Sequence, residues 1–221
     1  MLRDYRISPS AGGKTGHAVI MLHGLGDSGQ GGLLSIGGMW QPSLPPDTEF
    51  LCPDAPFPYD MGPAPETGGP RQWFSMKNFS PPVMLQGART AARYLNEYID
   101  HVLTTRALLP NKLALVGFSQ GTIMALYAAL RRSDQVAGIV GYSGLLVGGE
   151  GLETEMKTAP PVLLVHGTAD EVVPFGLMAP SEAALKAAGI SVTSVTCPGL
   201  GHSIDETGLA EGLRFLKKIL V

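Results

Sequence analysis

Six short runs of this chain are rich in apolar residues and are read as buried strands: residues 17–23, 49–54, 112–119, 136–143, 161–166 and 192–197. Several, such as Leu113-Ala-Leu-Val116, are continuous rather than alternating, and continuity marks strands covered on both faces. Between them apolar residues return at three- and four-residue steps. Leu85, Ala88, Ala92, Leu95, Ile99 and Val102 make one helical stripe. Leu209, Leu213, Leu216 and Leu220 make another, with Lys217 and Lys218 in the final turns, where cations suit the helix dipole. A helix is expected over residues 120–132, and a shorter one over 181–188, closed by Gly189. Strands alternating with helices predict an α/β fold in a single domain, 1–221, with a mostly parallel central sheet.

Two Gly/Pro-rich segments, 31–46 and 53–82, break the alternation. Both follow strands and both are long for connections, so they are expected at the carboxyl edge of the sheet as walls of a binding site. Charge changes little. The net value of −3 gives no footprint for nucleic acid. Residues 1–10 carry charges where a signal peptide needs an apolar stretch, and no apolar run reaches transmembrane length. Cys52 and Cys197 fall at strand ends without paired or metal-type spacing, so reduced thiols in a cytoplasmic protein are expected.

Candidate chemistry begins at Gly117-Phe118-Ser119-Gln120-Gly121, which joins an apolar strand to an apolar helix. This strand–turn–helix setting lifts a serine hydroxyl above the sheet at a helix N-terminus. An activated serine needs a base and a group to orient it. Downstream of Ser119 stand His166, at a strand end, and His202, in a loop before the last helix; the loop position favours His202 as base. Asp170, just past the same strand as His166, is the expected acid, with Glu171 and Asp205 as rivals. An oxyanion needs two backbone N–H donors. Gln120 supplies one, and Leu25, between Gly24 and Gly26 after the first long strand, is the candidate for the other. Gly24-Leu-Gly-Asp-Ser-Gly29, with Asp54 ending the next strand, also spells a dinucleotide pattern, but the Gly-rich 30–38 stretch does not predict the helix that pattern requires. Gly13-Lys14-Thr15 resembles only the end of a phosphate loop and is read as a surface turn. No metal-ligand motif is present.

Taken in order, His23-Gly-Leu-Gly-Asp-Ser-Gly29, Pro53-Asp-Ala-Pro56, Trp73-Phe74, Gly117-Phe-Ser-Gln-Gly121, His166-Gly-Thr-Ala-Asp-Glu-Val-Val-Pro174 and Gly199-Leu-Gly-His202 resemble the lysophospholipase/carboxylesterase family that includes the acyl-protein thioesterases. The resemblance implies an α/β-hydrolase fold with helices on both faces of the sheet and no large cap domain. It implies Ser119 as nucleophile, Asp170 as acid, His202 as base, Leu25 and Gln120 as oxyanion donors, and Trp73 lining the acyl site. Met61, Phe74, Met76 and Phe175, with Leu25, complete the expected apolar acyl-side wall. Three features differ from the family pattern: Thr122 in place of a glycine, Ser75 in place of an acidic residue, and a longer 59–72 stretch. The expected activity is that of a serine carboxylesterase on small to medium esters, with no cofactor and no metal. Acyl-protein thioesterase or lysophospholipase activity is the alternative within the same chemistry, and a non-catalytic ligand-binding protein is the alternative outside it. The expected partners are a small-molecule ester and, at most, a second copy in a homodimer, without nucleic acid or stable membrane anchoring.

Overall fold

The apolar runs become strands because each can be covered on two sides. The computed structural model describes residues 1–62 and 69–220. Its strands are β1 (Asp4–Ile7), β2 (His17–Leu22), β3 (Thr48–Pro53), β4 (Phe57–Pro58), β5 (Arg71–Gln72), β6 (Leu113–Phe118), β7 (Gly138–Tyr142), β8 (Val162–Gly167) and β9 (Val192–Cys197). Its helices are α1 (Gly32–Trp40), α2 (Pro81–Arg106), α3 (Gln120–Arg131), α4 (Leu152–Glu155), α5 (Met178–Ala187) and α6 (Glu206–Ile219). A seven-stranded sheet runs in the order β1-β3-β2-β6-β7-β8-β9, and β4 and β5 form a separate antiparallel pair. β1 is antiparallel to β3, and every other pair in the large sheet is parallel.

Side chains along β2 divide between two cores. Ala18, Ile20 and Leu22 face α2, α3 and α5, whereas Val19 and Met21 face α1 and α6. Burying one such large side chain contributes about 1.5–3 kcal/mol, which is why continuous apolar strands need helices on both faces. The strand order reverses at β2: β3 and β1 lie to one side of it, β6 to β9 to the other. In open α/β sheets the crevice at such a reversal, beyond the carboxyl ends, is where ligands bind. Residues after β2 and after β6 flank it here.

Two features correct the sequence reading. The 31–46 segment is not an irregular wall: it contains α1, packed on β1, β2 and β3. Leu33 and Trp40 bury there, and the Trp40 indole N–H donates to the Leu209 carbonyl (3.2 Å). Gly37 permits the close approach, since a Cβ there would stand 3.0 Å from a Phe50 ring carbon. Tertiary burial thus overrides the poor helix propensity of glycine. The second feature is β1, whose Asp-Tyr-Arg-Ile sequence has no apolar run; it forms by covering the outer edge of β3. Of the long 59–72 stretch, residues 63–68 lie outside those described.

Candidate active site

Ser119 sits between β6 and α3 with φ 54° and ψ −118°. For a non-glycine residue this left-handed geometry costs about 1–3 kcal/mol. The surrounding structure fixes it: the Ser119 amide donates to the Tyr142 carbonyl (2.9 Å) at the end of β7. The flanking glycines are steric requirements. A Cβ at Gly117 would lie 2.4 Å from the Gly121 carbonyl oxygen, and one at Gly121 would lie 1.8 Å from that of Leu22. The helix beginning at Gln120 leaves that residue's amide without an intrahelical partner. The Gln120 side chain has a role the sequence did not suggest: it accepts from the Trp73 amide (2.8 Å) and donates to the Phe74 carbonyl (2.8 Å), clamping that segment to the elbow.

The loop after β2 presses against the same point. A Cβ at Gly24 would stand 3.2 Å from the Phe118 ring and 3.4 Å from the Ser119 Cβ. Among the described residues the Leu25 amide donates to no backbone carbonyl. His23, fully buried, sets the loop's direction. Its Nε2 accepts from the Ala55 amide (3.0 Å), so Nδ1 carries the proton and donates to the Gly24 carbonyl (2.7 Å). Burial pushes the His23 pKa down, keeping the ring neutral as this pattern requires. Although α1 does follow the Gly-rich loop, the Asp54 carboxylate accepts from the Gly29 amide (2.8 Å) inside the loop. That residue is therefore not presented to a ribose, and the dinucleotide reading has no acid to rest on.

Asp170 and His202, the expected acid and base, meet through a third close approach. A Cβ at Gly167 would fall 2.2 Å from the Leu200 carbonyl oxygen, so the loop after β9 lies directly on the end of β8. The Ala169 and Thr168 amides donate to the Leu200 (2.9 Å) and Cys197 (3.0 Å) carbonyls. This brings His202 Nδ1 to 2.8 Å from Asp170 Oδ2. Asp170 Oδ1 accepts from the Val172 (3.0 Å) and Val173 (2.9 Å) amides. Burial alone would raise the Asp170 pKa, but the His202 hydrogen bond and the Val173 and Val172 amides outweigh it and hold it below the ordinary range. An ionised acceptor fixes the His202 proton on Nδ1 and leaves Nε2 as the basic nitrogen. The His202 ring packs 4.8 Å from the ring of Phe118, the residue before Ser119. Among the described residues the Ser119 hydroxyl has no hydrogen bond to the imidazole, a pairing that commonly tightens only with substrate.

The rivals fall elsewhere. His166 is buried, its Nε2–H donating to the Val173 carbonyl (2.8 Å) and lying 3.3 Å from Asp170 Oδ2, so it braces the acid's loop. Glu171 is exposed, and Asp205 caps α6 by accepting from the Gly208 amide (2.8 Å). Both cysteines are buried free thiols, and burial pushes Cys52 up to about 12 and Cys197 to about 11, so neither offers a thiolate.

These environments predict a pH profile of stability. The folded His23 binds protons less readily than the unfolded chain, whose histidine titrates near 6.5. Its neutral form therefore supports the fold fully above that pH, and the support is lost as pH falls below it. Asp170 adds a second loss only as pH falls below its ordinary 3.8. Urea midpoints are expected to hold steady above pH ~6.5 and to decline between about pH 6.5 and 5. A flat midpoint across that interval would mean that His23 charges without cost.

Beside the site runs a groove of about 1010 Å³. Its walls come from Met76 and Met84, from Leu145 and Val147 after β7, and from Val172 and Val173, which directly follow the acid's loop position. Of the expected acyl-side wall, only Met76 lines it. Trp73 and Phe74 are core residues instead, with the Trp73 indole N–H donating to the His23 carbonyl (3.0 Å). Phe175 packs edge-on against His166, and Met61 is exposed. Among the described residues no group of three or more His, Cys, Asp or Glu could hold a metal ion, and no helix is long and apolar enough to cross a membrane.

Residues 6–220 match the phospholipase/carboxylesterase family. Acyl-protein thioesterase 1 of Gibberella zeae is 29% identical over 215 residues, covering 91% of this chain and 90% of its own. The crystal structure of esterase PE8 superimposes with a TM-score of 0.90 at 35% identity, covering 99% of both chains. That of Zea mays acyl-protein thioesterase 2 gives 0.76 at 26% identity, covering 100% of both. The mostly parallel sheet shared with these structures is the α/β-hydrolase fold, and among the described residues no large cap is added to it.

Proposed function

We propose that this chain, which belongs to the phospholipase/carboxylesterase family and so to a group of esterases and thioesterases, is a serine carboxylesterase acting through an acyl-enzyme on Ser119. Ser119 Oγ attacks the acyl carbonyl while His202 Nε2 takes its proton, and Asp170 stabilises the resulting imidazolium without accepting the proton. The oxyanion is received by the Leu25 and Gln120 amides. Collapse expels the alcohol, protonated by His202, and water activated by the same imidazole releases the acid. The observation that carries this reading is the His202–Asp170 hydrogen bond of 2.8 Å beside a serine held at φ 54°.

In this reading the acyl chain enters the groove walled by Met76, Leu145 and Val173. A methylene buried there contributes about 0.8 kcal/mol, roughly fourfold in binding. With p-nitrophenyl esters of rising acyl length, kcat/KM is expected to climb by up to that factor per methylene from acetate to medium chains. A series that is flat or falls from acetate would place the acyl group outside the groove. Covalent labelling of Ser119 by a fluorophosphonate separates an enzyme from a ligand-binding protein on the same fold. The groove's size, together with relatives named as acyl-protein thioesterases, favours a thioester as second reading. Matched oxyester and thioester substrates of one acyl length decide between them.

A further inference from the structure

A threonine within a helix ordinarily returns its hydroxyl to the carbonyl three or four residues back. Thr122 does not. Its Oγ1 lies 2.9 Å from the Gly117 carbonyl oxygen, five residues back and inside β6, and 2.8 Å from the Tyr142 carbonyl oxygen at the end of β7. The side chain is fully buried. Tyr142 O is also the acceptor of the Ser119 amide (2.9 Å), so the nucleophile's backbone and the Thr122 hydroxyl share one anchor. The Thr122 amide in turn donates to the Ser119 carbonyl (3.0 Å). Room for the side chain is made by glycines on the β7 side. A Cβ at Gly141 would lie 2.6 Å from Thr122 Cγ2, and one at Gly144 would lie 2.4 Å from Thr122 Cβ.

We propose that Thr122 is a positioning residue for the nucleophile, its hydroxyl tying the ends of β6 and β7 at the spacing that Ser119 needs to present its oxygen. The hydroxyl has one proton for two carbonyls, so it bridges them in alternation or as a shared bond and keeps both within reach of one atom. Valine has nearly the same shape, so it can fill the space without supplying the hydroxyl. The strained Ser119 backbone depends on neighbours that over-determine it, and here one of those neighbours is polar, central and connected to both strands. This inference rests on Ser119 being the nucleophile.

The test compares Thr122→Val, which keeps the volume and removes the hydroxyl, with Thr122→Ser, which keeps the hydroxyl and removes the methyl. Readouts are kcat and KM on a p-nitrophenyl ester, the rate of fluorophosphonate labelling at Ser119, and the thermal midpoint. Displacing a reacting group by a fraction of an ångström to an ångström costs on the order of 10–10² in rate. Thr122→Val is therefore expected to lose about tenfold or more in kcat and in labelling rate together, with KM within about twofold, while Thr122→Ser stays within about twofold of the parent. Parent-like rates for Thr122→Val overturn the proposal. So does a Thr122→Ser variant as slow as Thr122→Val, since the hydroxyl would then not suffice to hold the nucleophile in place. If Thr122→Val does not fold, Thr122→Ala replaces it: serine must outperform alanine in labelling rate, and equality overturns the proposal. An unlabelled parent would instead refute the nucleophile assignment, a distinct outcome.

Discussion

Ser119→Ala is expected to leave a folded protein whose kcat on an aryl acetate has fallen at least ~10³-fold. Alanine keeps the same Cβ at φ 54°, so the elbow's strain and its hydrogen bond to Tyr142 are unchanged. Only the oxygen proposed to attack is lost. The amides at Leu25 and Gln120 remain, and with them a residual rate above that of water. A thermal midpoint close to the parent's would show that the loss is chemical. Substantial activity surviving in the variant would mean that another group attacks the ester.

Asp170→Asn should be almost as severe, about 10³–10⁴-fold in kcat at neutral pH. An asparagine oxygen can still accept from the Val172 and Val173 amides, which keeps the loop in place. Its NH₂ group would then face His202 Nδ1, where the carboxylate oxygen now accepts at 2.8 Å. A donor there forces the imidazole proton onto Nε2 and removes the lone pair that Ser119 needs. Asp205→Asn is the matched control, since Asp205 caps α6 and is expected to change activity little. A mild Asp170 variant with a severe Asp205 or Glu171 variant would reverse the assignment of the acid.

Much of this was legible because each signal was local. Apolar runs marked β2, β3 and β6 to β9, several of them continuous, and Gly117 and Gly121 revealed the elbow because the turn excludes any side chain there. Ser119, Asp170 and His202 follow in chain order beyond the ends of β6, β8 and β9. What escaped was decided by distant neighbours. Nothing in Asp-Tyr-Arg-Ile announces β1, which exists because β3 offers it an edge. The glycines of 31–38 argue against a helix until Phe50 and Met21 supply a surface on which a missing Cβ is an advantage. The resemblance implied Trp73 in the acyl-site wall; in the structure it is fully buried, hydrogen-bonded to His23 and Gln120, more than forty residues away in each direction. The His23 tautomer likewise depends on Ala55, invisible from local sequence.

Residue choice at the elbow also runs against the fold's own interest. Glycine would occupy φ 54°, ψ −118° without penalty, so a chain selected for stability alone would drift away from serine at 119. Its presence at a position that disfavours it is itself an argument that the hydroxyl is in use.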